Sequence, residues 1–437
     1  MSTQDKAVSI VRRLRAAGYE AFFAGGCVRD MLLDKTPQDY DITTNARPED
    51  VQRVFPDTIP VGAQFGVILV LLDGQPFEVA SYRHDGPYLD GRHPSSVRYG
   101  SLEEDIQRRD FTINGMVYDP IDDRVIDLVE GQRDIERRLV RAIGGAERRF
   151  EEDRLRMTRA VRIAANLGFA IDEATFAAIK KLAPTITQIA WERIGEEVTR
   201  ILTEGGARRG FELLDASRLL QVLLPEITAL KGTRQSADYH PEGDVFNHTL
   251  LLLSQLDAPS ETLAYGCLLH DVAKPVCFRE EAERITFYGH TEKGAAMAEE
   301  ILKRLKRGRA TWERVAYLVR NHLRHVQAPQ MRLSTLKRFL REEGIDELLE
   351  LTRIDALASN GDLHYYQFCK ARITEMNEGE IRPPPLVRGN DLIGLGFTPG
   401  PIFAEILRQV EDRQLGGELK DREQVMDWIR RNYGNRG

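Results

Sequence analysis

The chemistry-bearing residues of this chain begin with Gly25-Gly26-Cys27-Val28-Arg29-Asp30 and continue at Asp39-Tyr40-Asp41. Two glycines between an apolar run and a run with helical spacing let backbone N–H groups approach an anion, because a side chain there would block a phosphate. Asp39 and Asp41 are two apart. If Tyr40-Asp41-Ile42 is strand, their carboxylates share a face about 6–7 Å apart. Such a pair suits a hard cation such as Mg²⁺. Two such ions can clamp a nucleotide's phosphates and activate an attacking hydroxyl. A Gly-Gly turn before a polar hairpin is the plain alternative for either half alone; both halves at this spacing argue against it.

A second group is Arg108-Arg109-Asp110 with Glu152-Asp153-Arg154-Leu155-Arg156. Guanidinium forks match phosphate, and a carboxylate accepts ribose hydroxyls. The alternatives are a charged helix start before Phe111 and, for Asp153 and Arg156, an i,i+3 ion pair on a solvated helix face. The third group is His248, His270-Asp271, His290, His322 and Asp355, in that order. Each histidine alone reads as a packed or surface imidazole. Together with carboxylates they form a transition-metal set rather than a magnesium one, and a two-metal site generates hydroxide for phosphoester hydrolysis.

The elements that must position these groups follow from periodicity. Residues 5–17 form a helix with Val8, Val11, Leu14 and Ala17 as its apolar stripe, ending at Gly18. Tyr19 to Ala24 reads as strand and Val28 to Leu33 as helix. Val61 to Gly66 is a turn with a bend, Val67 to Leu72 an apolar strand, and Asp73-Gly74 a hairpin turn. Phe77 to Arg83 alternates, putting Glu78 opposite Phe77 and Val79. Residues 84–100, rich in Gly, Pro, His and Asp, read as loop.

From about residue 141 the chain turns helical. Trp191 to Glu197 continues it, carrying Arg193 and Arg200 toward an RNA face, and Gly205-Gly206 breaks it. Lys303 to Arg309 is a basic cluster at a helix end, either a solvated face or a track for an RNA backbone. Arg382-Pro383-Pro384-Pro385 is a stiff linker, and Ile402 to Val410 beyond it is amphipathic.

A chain of 437 residues implies several domains. Net charge is −7, so no whole-chain basic field draws in nucleic acid, and an RNA partner needs local basic patches. Cys27, Cys267, Cys277 and Cys369 are scattered with no Cys-x-x-Cys, which argues for a reducing compartment and against a thiolate zinc site. No signal core or membrane-length apolar run is present, so the expected location is cytoplasmic.

Gly25 to Asp50 closely resembles the signature of the nucleotidyltransferase superfamily that includes DNA polymerase beta. More narrowly it resembles class II tRNA nucleotidyltransferases (CCA-adding enzymes) and the related bacterial poly(A) polymerases. The resemblance continues through Arg108 to Asn114, Glu152 to Arg156 and the last fifty residues. It implies an α+β protein: a DNA polymerase beta-like mixed-sheet head over 1–140, then an all-α neck (141–205), HD domain (206–380) and tail (381–437). It implies Mg²⁺ held by the catalytic Asp39 and Asp41, with Glu78 as third carboxylate; a solvent-facing strand glutamate is the alternative there. Gly25, Gly26 and Arg29 would lie against the triphosphate. Arg109, Asp110, Asn114, Arg159 and Arg162 would bind the nucleotide.

Glu152, Asp153 and Arg156 would read the base edge. Cytosine and adenine present an amino donor beside a ring acceptor; uracil and guanine leave buried groups unpaired. The implied partners are tRNA, ATP and CTP, and the tail would hold the tRNA body. The loop at 84–100 argues against members that add only C. The histidine set resembles the HD phosphohydrolase superfamily: His248, His270, Asp271 and Asp355 as its quartet, His290 and His322 as extra ligands, and Mn, Fe, Ni or Zn as the metal. Competing readings are a poly(A) polymerase or A-only enzyme, an HD-type phosphohydrolase acting on RNA termini, and a catalytically silent RNA-binding protein.

Overall fold

The computed structural model describes residues 1–62, 65–86, 96–236, 241, 243–281, 284–376 and 381–434. Its first helix, α1 (Thr3–Ala16), starts at a capping box between Ser2 and Asp5 and buries Ala7, Ile10, Val11 and Leu14. Ala17, expected on that stripe, is instead the exposed cap residue, because the buried face follows an i, i+3, i+4, i+7 spacing from Ala7. The chain then forms β1 (Ala21–Ala24), α2 (Gly26–Leu32), β2 (Asp41–Thr44), α3 (Pro48–Val54), β3 (Thr58–Gly62), β4 (Val67–Leu72) and β5 (Gln75–Ser81).

The hairpin expected at Asp73-Gly74 joins β4 to β5. Residues 84–86 and 96–100 are not all loop: β6 (Arg83–Asp85) pairs with β7 (Val97–Tyr99). Residues 87–95 of the expected loop, and 63–64 of the expected turn, lie outside the described residues. With β8 (Val117–Asp119) and β9 (Arg124–Ile126) the main sheet has seven strands, ordered β3-β4-β5-β2-β1-β8-β9. It is mixed: β2 and β5 run parallel and the other pairs antiparallel.

Alternation sends the two sides of each strand to different cores. Phe23, Tyr40, Ile42, Phe77 and Val79 enter one core with α1. Phe22, Ala24 and Val117 enter another with Tyr82 and Ile106. Phe23 is fully buried with its ring 5.2 Å from Tyr40; truncation to Ala would cost about 3–5 kcal/mol.

The helices α4 (Leu102–Gln107) and α5 (Gly131–Glu136) complete the head. After them come α6 (Ala146–Glu152), α7 (Leu155–Leu167), α8 (Glu173–Leu182), α9 (Trp191–Thr203), α10 (Ala207–Ala216), α11 (Leu219–Leu223) and α12 (Pro225–Thr228). Glu152 to Arg156 is not one continuous helix. Asp153 leaves helical geometry at φ −141°, ψ 107°, and α7 restarts at Leu155.

The chain clusters into two compact units. Met1–Ala229, Leu256–Ala258 and Ile301–Arg307 form one; Leu230–Gln255, Pro259–Glu300 and Gly308–Gly437 form the other. Residues 206–229, expected in the HD segment, fall in the first unit. Gly206, at φ +72°, lies so close to α7 that a Cβ would stand 2.4 Å from the Ala165 carbonyl oxygen.

The second unit holds α13 (Val245–Ser254), α14 (Glu261–Leu269), α15 (Lys274–Cys277), α17 (Arg309–Asn321), α18 (Leu333–Leu340), α19 (Ile345–Ala358) and α20 (His364–Glu375), and the start of α16 (His290–Arg304). Its last helices, Gly389–Gly394, Pro401–Leu415 and Arg422–Tyr433, share a core of Leu392, Ile406, Val410, Val425 and Ile429. No helix among the described residues is long and apolar enough to cross a membrane.

Candidate active site and metal centre

Gly25 joins β1 to α2 at φ +76°, ψ −137°, a backbone that L side chains rarely adopt. A Cβ there would lie 3.7 Å from both Asp41 Oδ2 and Arg109 Nη1, so turn, carboxylate and guanidinium converge. At Gly26 a Cβ would stand 3.5 Å from Arg29 Nη2.

The hydrogen-bonded strand begins only at Asp41, and Asp39 is exposed ahead of it. The alternation nevertheless extends back. Tyr40 and Ile42 both enter the first core, which turns Asp39 and Asp41 away from it together. Register supplies the third carboxylate: Ile42 pairs with Val79 across the parallel β2–β5 ladder, setting Asp41 beside Glu78.

The three groups feel one another. Burial, then Glu78 and Asp39, push Asp41 up to about 7, against Arg109. Glu78 is exposed to solvent, yet desolvation and then Asp39 raise its pKa. Mutually repelling carboxylates of this kind fit a divalent cation, which would relieve the repulsion. Cys27, in the same motif, is pushed up to about 12 by burial and Asp41, so it stays a neutral thiol.

Arg109 is aimed by a residue that motif reading did not single out. Asp105, fully buried on α4, takes Arg109 Nη2 at 2.9 Å and Arg108 Nη2 at 2.6 Å. Burial alone would raise Asp105; the two arginines hold it below the usual carboxylate range. Its i,i+3 and i,i+4 spacing to them was the available signal.

Asp110 is also buried in charge. Desolvation opposes its ionisation, but Arg159, at 2.6 Å, holds it at about 2. Asn114 Nδ2 donates to Asp110 at 3.3 Å while its Oδ1 accepts from Arg29 Nη1 at 2.9 Å. One chain of contacts therefore runs from the glycine turn through Arg29, Asn114 and Asp110 to Arg159 on α7. Arg29 also pairs with Asp30 at 2.7 Å.

The expected Asp153–Arg156 pairing is not what forms, because Asp153 lies in the bend between α6 and α7. Arg156 meets Glu152 at 2.9 Å and the Arg108 carbonyl at 2.9 Å. Glu152 is shared with Arg149 at 2.7 Å. Asp153 takes Arg193 instead, at 2.9 Å. Arg193 is thus turned onto the bend rather than toward an outer face, and Arg200 pairs with Glu204 at 2.5 Å. Arg162 departs from its expected position with the nucleotide group: its guanidinium is buried against Glu197 at 2.8 Å and Glu204 at 2.9 Å. In the basic cluster, Arg304, Arg307 and Arg309 meet Glu226, Glu196 and Glu313, which favours the solvated-face reading.

The histidine set does come together, in the second unit. His248, His270 and Asp271 form one trio with ligand atoms within 4.8 Å of one another; Asp271, His290 and His322 form another. Asp355 Oδ1 stands 3.1 Å from His248 Nε2 and 4.0 Å from His270 Nε2. The Nδ1 atoms of His270, His290 and His322 face the Cys267, Phe287 and Val319 carbonyls at 3.0, 2.8 and 2.7 Å. Those contacts turn each Nε2 inward as the ring's ligand atom.

Burial and then His270 push His322 down to about 4, which keeps it neutral. Asp271 stays ionised despite burial because His270 and Lys274 face it. Asp271 Oδ1 and His290 Nε2, 3.6 Å apart, are buried with no hydrogen-bond partner among the described residues. Orphaned donor atoms in a set of imidazoles and carboxylates fit a transition-metal centre, with Asp271 common to both trios.

Comparison with known proteins agrees with this division of labour. Residues 21–141 match the family described as Poly A polymerase head domain, 168–231 the probable RNA and SrmB-binding site of polymerase A, and 243–360 the HD domain. The curated CCA-adding enzyme of Streptococcus sanguinis is 33% identical over 429 residues, covering 97% of this chain and 96% of its own. A solved CCA-adding enzyme of Bacillus stearothermophilus in complex with CTP superposes with a TM-score of 0.76 at 28% identity over the whole of both chains. The CCA-adding enzyme of Bacillus cytotoxicus is 32% identical over 435 residues, 98% of each chain. At that identity along nearly its whole length, this chain belongs to the family of CCA-adding enzymes.

Proposed function

We propose that this chain adds C, C and A, from CTP and ATP, to the 3′ end of tRNA, releasing pyrophosphate. The observation that carries the reading is the position of Asp41: its carboxyl is pushed up to about 7 between Glu78 and Asp39, at the glycine turn. Asp39, Asp41 and Glu78 are the groups that would hold Mg²⁺. That ion would supply charge for the triphosphate and a lowered pKa for the attacking 3′-hydroxyl.

The remaining roles belong to the chain's own residues. Gly25 and Gly26 leave the backbone bare toward the phosphates, with Arg29 and Arg109 as their counter-charges. Asp110 and Asn114 accept from and donate to the nucleotide's sugar, held in place by Arg159. Glu152 orients Arg156, and Arg156 with Asp153 reads the base. Arg162 has no such role in this reading; it braces α7 on α9. We read the head as 1–140, the neck as 141–229, the HD domain as starting after it and the tail as 381–437, in a cytoplasmic protein.

The test uses tRNA transcripts ending before C, CC or CCA, with each nucleotide alone. CTP should be incorporated twice and ATP once, and Asp41→Asn should abolish both. Failure to use CTP sinks the reading in favour of A-only or poly(A) addition.

A second activity is favoured by the two ligand trios that share Asp271: metal-dependent hydrolysis of a phosphoester. Phosphate release that is lost on His270→Ala but survives Asp39→Ala would establish it. Release lost only on Asp39→Ala would remove it.

A further inference from the structure

Arg193 lies at the start of α9, and its guanidinium forks onto Asp153. Nη2 donates to Oδ2 at 2.9 Å and Nη1 to Oδ1 at 3.3 Å. The Leu155 N–H donates to the same Oδ1 at 3.0 Å. Arg156 is fastened by other partners: Glu152 Oε2 at 2.9 Å, the Arg149 carbonyl at 3.1 Å and the Arg108 carbonyl at 2.9 Å. Carboxylate and guanidinium are thus each braced from outside the pair, and neither neutralises the other. Both are largely covered, with 17% of the Asp153 side chain and 11% of the Arg156 side chain still exposed.

We propose that Arg193 is a positioning residue that sets base selectivity by fixing the Asp153 carboxylate in one orientation. The inference rests on the reading of Asp153 as a base-reading group and adds the residue that makes that reading selective. An aspartate left to itself turns about its last torsion, which is broad. A planar fork removes that freedom, because it fixes the carboxylate plane.

The count of lone pairs supports the same conclusion. An ionised carboxylate offers about four acceptor sites. Two N–H groups of Arg193 and the Leu155 N–H occupy three of them. What remains suits a single donor, which cytosine and adenine each supply as an exocyclic amino group. A base that brings a carbonyl there faces a lone pair instead, with no proton between them.

The test compares full-length wild type, Arg193→Lys and Arg193→Gln on tRNA transcripts, measuring kcat/KM for CTP, ATP, UTP and GTP with the Tm of each protein. The Gln variant should lower the CTP-to-UTP and ATP-to-GTP ratios by about tenfold or more, since polar mispairing in a buried site is worth that much. The Lys variant keeps the charge and loses the fork, so its ratios should fall in between. If both variants slow all four nucleotides by one common factor, Arg193 is only a strut between α9 and the bend, and the proposal is overturned. Should the Gln variant not fold, the Lys variant decides by the same ratios. Asp153→Ala in the same assay separates the two levels. If that variant keeps wild-type selectivity, Asp153 does not read the base, and the fault lies in that assignment.

Discussion

With its carboxyl pushed up to about 7, Asp41 burdens the metal-free fold at neutral pH, and the sign of that burden is measurable. Its folded pKa lies above the unfolded value near 3.8. The stability it contributes is therefore fully present below that lower value and is lost as pH rises through about 7. Asp41→Asn should stabilise the metal-free protein at pH 8, by up to about 4 kcal/mol and with a higher Tm, and should leave it nearly unchanged at pH 4. Adding Mg²⁺ should then stabilise the wild type and not the variant. A Tm that falls on Asp41→Asn at pH 8 would mean the carboxylates are not in conflict.

Gly25→Ala meets a different obstacle. A backbone at φ +76°, ψ −137° costs about 1–3 kcal/mol for an L side chain, and the new Cβ would stand against Asp41 and Arg109. Chemical denaturation should show a loss of that size alongside loss of nucleotide transfer. Gly25, Asp39 and Asp41 could be read from the sequence because their relation is local: a turn and an i,i+2 pair. Asp105 offered a local signal too, but only once α4 is known to be helix. The Arg193–Asp153 pair spans forty positions, and no spacing rule reaches across two helix junctions.

At the scale of elements, periodicity located β1, α2, β4 and β5 closely, since each is a short run with a clear period. It missed the bend at Asp153. There the apolar pattern of a helix runs on while the backbone does not, because the Asp153 carboxylate takes the Leu155 N–H at the start of α7. It also missed that α10 to α12 pack with the neck, since amphipathic helices do not announce their partner. What holds α7 against α9 is partly ionic. Arg162 and Glu197 are both nearly fully buried and bonded at 2.8 Å. Arg162→Ala would leave Glu197 buried without its hydrogen-bonded partner, at a cost of about 3–5 kcal/mol. Replacing both, as Arg162→Met with Glu197→Leu, should recover most of that loss. Urea denaturation of the single and double variants checks this; equal loss in both would show that packing rather than the ion pair fastens the helices.

At the scale of the whole molecule, the two compact units each contain a candidate centre with its own donor chemistry. The first offers carboxylates alone, which suit Mg²⁺; the second offers four imidazoles with Asp271 and Asp355, which suit a transition metal. The order of histidines along the chain made the second set legible, but not its geometry. That geometry depends on backbone carbonyls three residues before His270, His290 and His322, which turn each ring. If the centres are chemically separate, they should be separable by metal. Protein stripped with chelator and supplied with Mg²⁺ alone should regain nucleotide transfer and not phosphoester hydrolysis, while Mn²⁺ or Ni²⁺ should restore the latter. Metal analysis should find bound transition metal in the wild type and in Asp41→Asn, and much less in His270→Ala. The His270→Ala variant should keep its nucleotide transfer, because the residues assigned to transfer all belong to the other unit. Loss of transfer on His270→Ala, with folding intact, would mean that the second centre serves the first rather than acting by itself.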